Sequence, residues 1–96
     1  GSEEEAVEEK VVNYLFDGIY EGTVNGFEAT VFVKAESMTF ETNGQDPINC
    51  IIDNPTINPT TVQCSGMSDM STLEIKGSSL VMSPEGQIPG IFRLKE

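Results

Sequence analysis

The sequence contains no histidine and no tryptophan, and both absences restrict what the chain can do. Without histidine it lacks the commonest general base, the Ser-His and Cys-His nucleophile pairs and the usual nitrogen ligand of zinc. With no tryptophan and only two tyrosines, it also lacks the aromatic platforms that glycosidase sites usually need. We therefore expect a protein that is not an enzyme.

Basic residues are also scarce, since five Lys and Arg stand against sixteen Asp and Glu and the net charge is -11. A phosphate backbone is bound by clustered Lys and Arg, so nucleic acid is not an expected partner. An anionic membrane surface is disfavoured for the same reason, and no apolar run is long enough to insert into a bilayer. A basic protein is the partner that this charge would attract, although acidity also serves simply to keep a domain soluble.

Motifs that carry chemistry are missing as well. Neither of the glycine-rich phosphate loops, G-x-G-x-x-G and G-x-x-x-x-G-K-[ST], occurs in the chain, and no D-x-[DN]-x-[DN]-G calcium loop is present. Asn54 and Asn58 begin sequences that resemble glycosylation acceptors, but each is followed by proline, which forbids the modification. The sequence therefore predicts no metal and no cofactor.

The chain has only two cysteines, Cys50 and Cys64. Their spacing is far from the C-x-x-C of a redox site, and two thiols without histidine cannot complete a tetrahedral zinc site. We expect them to form a disulfide, which implies an extracytoplasmic location: periplasmic, lipoprotein-anchored or secreted. Gly1-Ser2 is typical of a vector-derived remnant, so the sequence leaves open whether a leader or a lipid anchor precedes residue 3.

The clearest positive signal is Asn25-Gly26, which lies between two alternating apolar runs. A two-residue Asn-Gly loop predicts a β-hairpin with a type I′ turn, and the turn fixes the strand register. On one face, the Gly22 and Ala29 pair leaves a shallow gap that either an N-terminal helix or a ligand would fill. The apolar face of the hairpin carries Tyr20, Val24, Phe27, Ala29, Val31 and Val33.

Short strands and turn residues continue to the end of the chain, with strands predicted over 37–42, 46–52, 61–65, 72–76, 79–83 and 88–94. Pairing Cys50 with Cys64 also pairs Ile52 with Val62, so the disulfide and the hydrophobic pattern select one register. After Asn43-Gly44 we expect a longer loop or a bulge, because a two-residue loop would turn Cys50 away from the core. Pro89 predicts an edge position or a bulge in the last strand.

Residues 3–16 predict an acidic amphipathic helix, whose apolar stripe carries Val7, Val11, Tyr14 and Leu15. This helix would either plug one side of the sheet or act as a spacer to an anchor or another domain. The predicted fold is mainly β: a small antiparallel meander barrel or two-layer sandwich of seven to eight strands with one N-terminal helix. The domain organisation is a remnant at 1–2, the helix at 3–16 and a single β domain over 17–96.

We expect the chain to be a noncatalytic extracytoplasmic binding domain, in the manner of a bacterial lipoprotein or a periplasmic inhibitor, that contacts a basic protein through its loops. One alternative is a barrel that carries a small apolar ligand in a cavity lined by Tyr20, Val31, Phe40 and Ile75. The other is an assembly subunit that pairs through an exposed edge at 88–94. The sequence does not indicate an oligomeric state. The expected contact residues are Asp53, Asn54, Asn58, Met67, Asp69 and Met70.

Overall fold

The computed structural model describes residues 12–24, 26–86 and 88–95, and the described residues form an all-β fold. Each strand begins close to where the alternating pattern predicts it, and every connection between strands except Ala35-Glu36 contains Gly, Asn, Ser or Pro. The eight strands are β1 (Gly18–Val24), β2 (Phe27–Lys34), β3 (Ser37–Thr42), β4 (Ile48–Ile52), β5 (Thr60–Cys64), β6 (Ser71–Lys76), β7 (Ser79–Pro84) and β8 (Gly90–Leu94).

The strands form a closed antiparallel barrel in which each strand pairs with its neighbours along the chain. The circle is completed by β8, which pairs with β1 in the register that places Gly22 opposite Phe92. Below this pairing the Lys95 N–H donates a hydrogen bond of 2.6 Å to the Ile19 carbonyl. The meander barrel of the two predicted architectures is therefore confirmed, and the sandwich is wrong.

The predicted free edge at 88–94 is also wrong. The strand β8 begins at Gly90, so Pro89 precedes it and removes no hydrogen bond from its ladders. Residues 90–93 pair with β7, and residues 92–94 pair with β1. The last strand is therefore an inner strand of the closed sheet and does not form its free edge.

The strand registers match those predicted from the turns. In the first hairpin Tyr20 pairs with Val31, and in the centre of the barrel Cys50 pairs with Cys64. Between β3 and β4 the chain uses residues 43–47, which is the longer connection that the inward orientation of Cys50 requires. The predictions succeed here because each depends on a local turn or on one pair of side chains.

Alternate side chains of every strand point into the barrel and pack into one core. One expected member of this core, Phe27, is 60% exposed because it lies at the first position of β2, where the strand has already reached the barrel rim. The buried apolar residues are Phe16, Tyr20, Ala29, Val31, Val33, Met38, Cys50, Ile52, Val62, Cys64, Leu73, Leu80, Met82 and Phe92.

The gap that Gly22 and Ala29 leave on the core face is filled by Phe92 from the last strand. A Cβ placed on Gly22 would collide with the Ile91 carbonyl oxygen and would come within 2.7 Å of the Phe92 ring. The same ring lies 3.2 Å from a Cβ placed on Gly90. Phe92 therefore occupies the volume that Gly22 and Gly90 leave free. Neither an N-terminal helix nor a ligand is needed to fill the gap.

The N-terminal segment differs from its prediction. The prediction of a helix over 3–16 falls partly on residues 3–11, which lie outside the described residues, but residues 12–16 are not helical. Tyr14 and Leu15, expected on the buried stripe, are exposed, and Phe16 is fully buried instead. A single aromatic side chain enters the end of the barrel, and the chain needs no helical turn to deliver it.

The predicted disulfide is present and joins the middle of β4 to the last residue of β5. Cys50 and Cys64 have Cα atoms 3.9 Å apart, as in a closely spaced cross-strand pair, and both side chains are buried in the core. The Ser65 N–H donates to the Asn49 carbonyl at 2.9 Å beside them, so the ladder continues past the disulfide.

Substituting Gly22→Ala should lower the free energy of unfolding by about 1–3 kcal/mol, because the added methyl group meets backbone at the closure of the barrel. Gly90→Ala is the matched control, and it should cause a smaller loss, since its Cβ would meet only side-chain atoms, those of the Phe92 ring and of Val24. Urea unfolding of both variants checks the prediction. Equal stability of Gly22→Ala and the native protein would contradict the close approach of β1 and β8.

Replacing both cysteines (Cys50→Ala with Cys64→Ala) should lower the free energy of unfolding by roughly 3 kcal/mol, since the disulfide closes a loop with a sequence separation of 14. Adding a reductant should destabilise the native protein similarly and leave the double variant unchanged. Urea unfolding with and without reductant measures both effects. A native protein that is indifferent to reductant would show that the bond does not stabilise the fold.

Candidate functional site

The connections of the barrel fall into two groups because neighbouring strands run in opposite directions. The terminal end of the barrel holds the segment 12–17, the connections 35–36, 53–59 and 77–78, and Lys95. The distal end holds, among the described residues, Gly26, the connections 43–47 and 65–70, and residues 85–86 and 88–89. These two ends are the places where loop side chains can gather into a site.

The six expected contact residues do not come together. The β4–β5 connection carries Asp53, Asn54 and Asn58 at the terminal end, and the β5–β6 connection carries the other three at the distal end. The length of β5 separates the two groups, so they belong to different surfaces of the molecule. The distal group consists of Met67, Asp69 and Met70.

The two asparagines of the terminal group hold their own loop in place. The Asn58 side chain donates to the Ile75 carbonyl and accepts from the Ile75 N–H, both at 2.9 Å, so it continues the β5–β6 ladder beyond the end of β5. The Asn54 carboxamide oxygen accepts from the Thr56 N–H at 3.1 Å and from its hydroxyl at 2.7 Å. Such local bonds are typical of turn residues, and they engage both ends of the Asn58 carboxamide and the oxygen of the Asn54 carboxamide.

The distal group has side chains that are free to make contacts. Met67 and Met70 are exposed, and Asp69 between them is exposed too. The backbone beneath them is held, since the Met67 N–H donates to the Cys64 carbonyl at 3.1 Å and the Gln63 carboxamide donates to the Met67 carbonyl at 2.7 Å. A fixed backbone with outward thioethers is well suited to an adaptable apolar contact.

Three further apolar side chains, which sequence analysis did not select, lie at the same end. Phe27 and Ile48 have the alternation of inward-facing residues, but they stand at the first positions of β2 and β4 and remain exposed. Ile88 precedes β8 and is 89% exposed. We call Phe27, Ile48, Met67, Met70 and Ile88 the distal rim. The sequence signal for Phe27 and Ile48 was an apolar residue that continues the inward-facing alternation as far as the distal end of a strand.

Charge is distributed unevenly between the two ends. The distal connections contain no Lys or Arg, and the carboxylates in them or beside them are all exposed. The basic residues that the structure describes are Lys34, Lys76, Arg93 and Lys95, at or near the terminal end, where Asp17, Glu36 and Asp53 also lie. The distal carboxylates are Glu28, Glu41, Asp46, Asp69 and Glu85.

Comparison with known proteins adds no assignment to this geometry. No protein-family model, no curated protein and no solved structure matches the chain. The surfaces of the barrel therefore have to be interpreted from their own chemistry.

The interior of the barrel is occupied by side chains at the positions that were expected to line a ligand cavity. Tyr20 and Val31 are buried in the core, and Phe40 and Ile75 pack against it. The Phe40 and Phe92 rings lie with centroids 5.6 Å apart in a tilted arrangement, a favourable geometry for aromatic pairs. These contacts fill the space in which a carried ligand would lie.

Two shallow depressions lie on the outer wall of the barrel. One, of about 340 Å³, is lined by residues of β1, β2 and β3 that include Ile19, Phe32 and Lys34. The other, of about 270 Å³, is lined by residues of β1 and β2 that include Glu21 and Glu28.

In the described parts of the chain, no group of three or more His, Cys, Asp or Glu side chains is placed to hold a metal ion. None of the described residues forms a helix long and apolar enough to cross a membrane.

The terminal end is closed by the N-terminal segment. Phe16 is fully buried, and its carbonyl accepts a 2.8 Å hydrogen bond from the buried Tyr20 hydroxyl. Asp17 accepts from the Ala35 N–H at 2.7 Å, where Ala35 has a positive φ of 55°. Burial, and to a lesser degree the Asp17 carboxylate, raises the pKa of the Tyr20 hydroxyl above its usual 10.0. At this end the N-terminal segment thus closes the barrel, and the Tyr20 hydroxyl and the Asp17 carboxylate are hydrogen-bonded within the chain.

Substituting Tyr20→Phe should lower the free energy of unfolding at neutral pH by about 1 kcal/mol, because the Phe16 carbonyl loses its donor. The folded protein holds the phenolic proton to higher pH than the unfolded chain, so this stabilisation is present below the usual pKa of 10.0 and is lost as pH rises above it. Urea unfolding at several alkaline pH values should therefore show a smaller pH-dependent loss in Tyr20→Phe than in the native protein.

The control is Tyr14→Phe, at a tyrosine that is 39% exposed, which should keep the native alkaline loss. An identical pH profile in all three proteins would refute the buried hydrogen bond of Tyr20.

Proposed function

We propose that the protein is a noncatalytic, extracytoplasmic binding domain that contacts a basic protein through its loops. Its mode of action would be that of an inhibitor or a receptor-like lipoprotein domain, in which a rigid barrel presents side chains to a partner. The observation that carries this proposal is the contrast between the filled interior and the exposed apolar side chains of the connection 65–70.

The packing of the barrel favours a binding domain over the two alternatives. A carrier of a small apolar ligand needs an internal cavity, whereas Tyr20, Val31 and Phe92 pack together in the interior. An assembly subunit of the expected kind needs a free edge at 88–94, whereas β8 is paired on both sides. Outer surfaces and connections are then the parts with which the chain meets another molecule.

Charge supports a basic partner. The net charge of -11 attracts cationic proteins at long range, and dissolved salt screens this attraction. Of the two loops expected to make contact, the connection 65–70 is the better placed, because Met67, Asp69 and Met70 are exposed and the carboxamides of Asn54 and Asn58 are bonded to their own chain.

An extracytoplasmic location is supported by the Cys50–Cys64 disulfide, since such bonds persist in oxidising compartments. The same bond suits a domain of this length, whose core alone supplies a small margin of stability. Thiol labelling of unfolded, unreduced protein from the natural source should find no reactive cysteine. Two reactive cysteines there would overturn the proposed location.

A cationic probe protein tests the binding proposal. Lysozyme should bind the domain saturably in isothermal titration calorimetry, with an affinity that falls as the salt concentration rises. Lysozyme with its lysines succinylated is the matched control, because the fold is kept while the charge is reversed, and it should not bind. Cytochrome c serves as a second cationic probe of different shape.

Two results would count against the proposal. Equal binding of native and succinylated lysozyme would exclude selection by charge. Failure of both cationic probes to bind at low salt would contradict a function based on basic protein partners.

A further inference from the structure

The distal rim brings five exposed apolar side chains to one end of the barrel. The terminal end exposes five as well, namely Val12, Tyr14, Leu15, Ile57 and Leu94, but they share that end with basic residues, which the distal connections lack. Phe27 is 60% exposed and Ile88 is 89% exposed, and the other three rim residues are 42–45% exposed. They come from four of the strand ends that surround one opening. Apolar side chains gathered in this way on a small domain mark a contact surface.

The rim shares its end of the barrel with negative charge. All five carboxylates of the distal end are exposed, and its connections contain neither Lys nor Arg. Protein interfaces usually combine apolar and charged side chains, in which burial of the apolar part provides affinity and the charges select the partner.

We propose that the distal end binds a cationic amphipathic segment of a partner protein, with apolar side chains on the rim and Lys or Arg side chains on the distal carboxylates. The inference deepens the proposed function, on which it rests, because it replaces one loop by a whole barrel end and names the chemistry of the ligand. A purely basic segment would leave the apolar rim side chains exposed to water. A purely apolar segment would leave the carboxylates without cationic partners.

A second copy of the chain fits this surface less well. Two distal ends facing each other would bring five carboxylates against five, which is unfavourable. The terminal end of another copy offers Lys34, Lys76, Arg93 and Lys95, but these lie among Asp17, Glu36 and Asp53, and Lys95 pairs with Glu21 at 3.1 Å. A partner whose positive charge is not offset by nearby carboxylates complements the distal end better than the distal or the terminal end of a second copy.

The test uses an amphipathic peptide of alternating Lys and Leu as the probe, with Lys/Ser and Glu/Leu peptides of equal length as controls. Binding is measured by fluorescence anisotropy at low and at physiological salt. We expect the Lys/Leu peptide to bind at least about tenfold more tightly than either control peptide, since each control lacks one of the two interactions.

Variants locate the site. Met70→Ser combined with Ile88→Ser removes two rim side chains and should weaken Lys/Leu binding by about tenfold or more. The matched control is Ile51→Ser combined with Ile57→Ser, at exposed positions on the wall and in the terminal loop, and it should keep the affinity within about twofold. Urea unfolding verifies that both double variants are folded.

The charges are tested separately. Asp69→Asn with Glu85→Gln should weaken binding at low salt and reduce its dependence on salt, whereas Glu36→Gln with Asp53→Asn at the terminal end should change neither.

Each other outcome refutes a stated part of the account. If the cationic proteins and the Lys/Leu peptide bind but the rim variant binds equally well, the distal site is wrong and the proposed function stands. If the Lys/Ser peptide binds as tightly as Lys/Leu, the rim has no role and the inference fails. If sizing shows that the chain associates with itself and the rim variant abolishes this, the occupant is a second copy. Failure of every cationic probe overturns both proposals.

Discussion

The close approach of β1 and β8 at Gly22 is the contact on which the rest of the barrel depends. A side chain at this position would strike the backbone of Ile91, so the ladder between the first and last strands forms only because the residue is glycine. The Phe92 ring then fills the space above Gly22 and Gly90 and reaches Phe40 across the interior. The contact between β1 and β8 therefore both closes the sheet and fills part of its core.

Closure decides where the protein can act. It gives every strand a hydrogen-bonded neighbour on each side, which disfavours edge-to-edge association. It also brings Tyr20 and Val31 into one packed core. The two ends of the barrel then differ in kind. One is sealed by Phe16 and the hydrogen bond from Tyr20, and the other exposes apolar side chains among carboxylates, which is the surface we assign to a partner.

Sequence patterns predicted the parts of this fold that depend on neighbours along the chain. Asn25-Gly26 set the register of the first hairpin, and the Cys50–Cys64 pair set that of β4 and β5. Closure could not be read in this way, because Gly22 and Phe92 lie far apart in the sequence and no turn connects them. The sequence did not mark Ile88 and Phe27 as candidate contact residues, because an apolar residue in a strand pattern is expected in the core until the position of the rim is known. Met67 and Met70 were selected as candidates because they lie in a loop of small polar residues.

The pairing of Gly22 with Phe92 can be observed directly by nuclear Overhauser spectroscopy of the folded protein. The account predicts strong cross-peaks between the Gly22 Hα protons and the Phe92 ring protons, with the Gly22 signals shifted by the ring current. It also predicts cross-peaks between the Phe92 and Phe40 rings. A Phe92 ring without contacts to Gly22, beside a last strand whose amide protons exchange as rapidly as those of a loop, would contradict the closed barrel and every inference drawn from it.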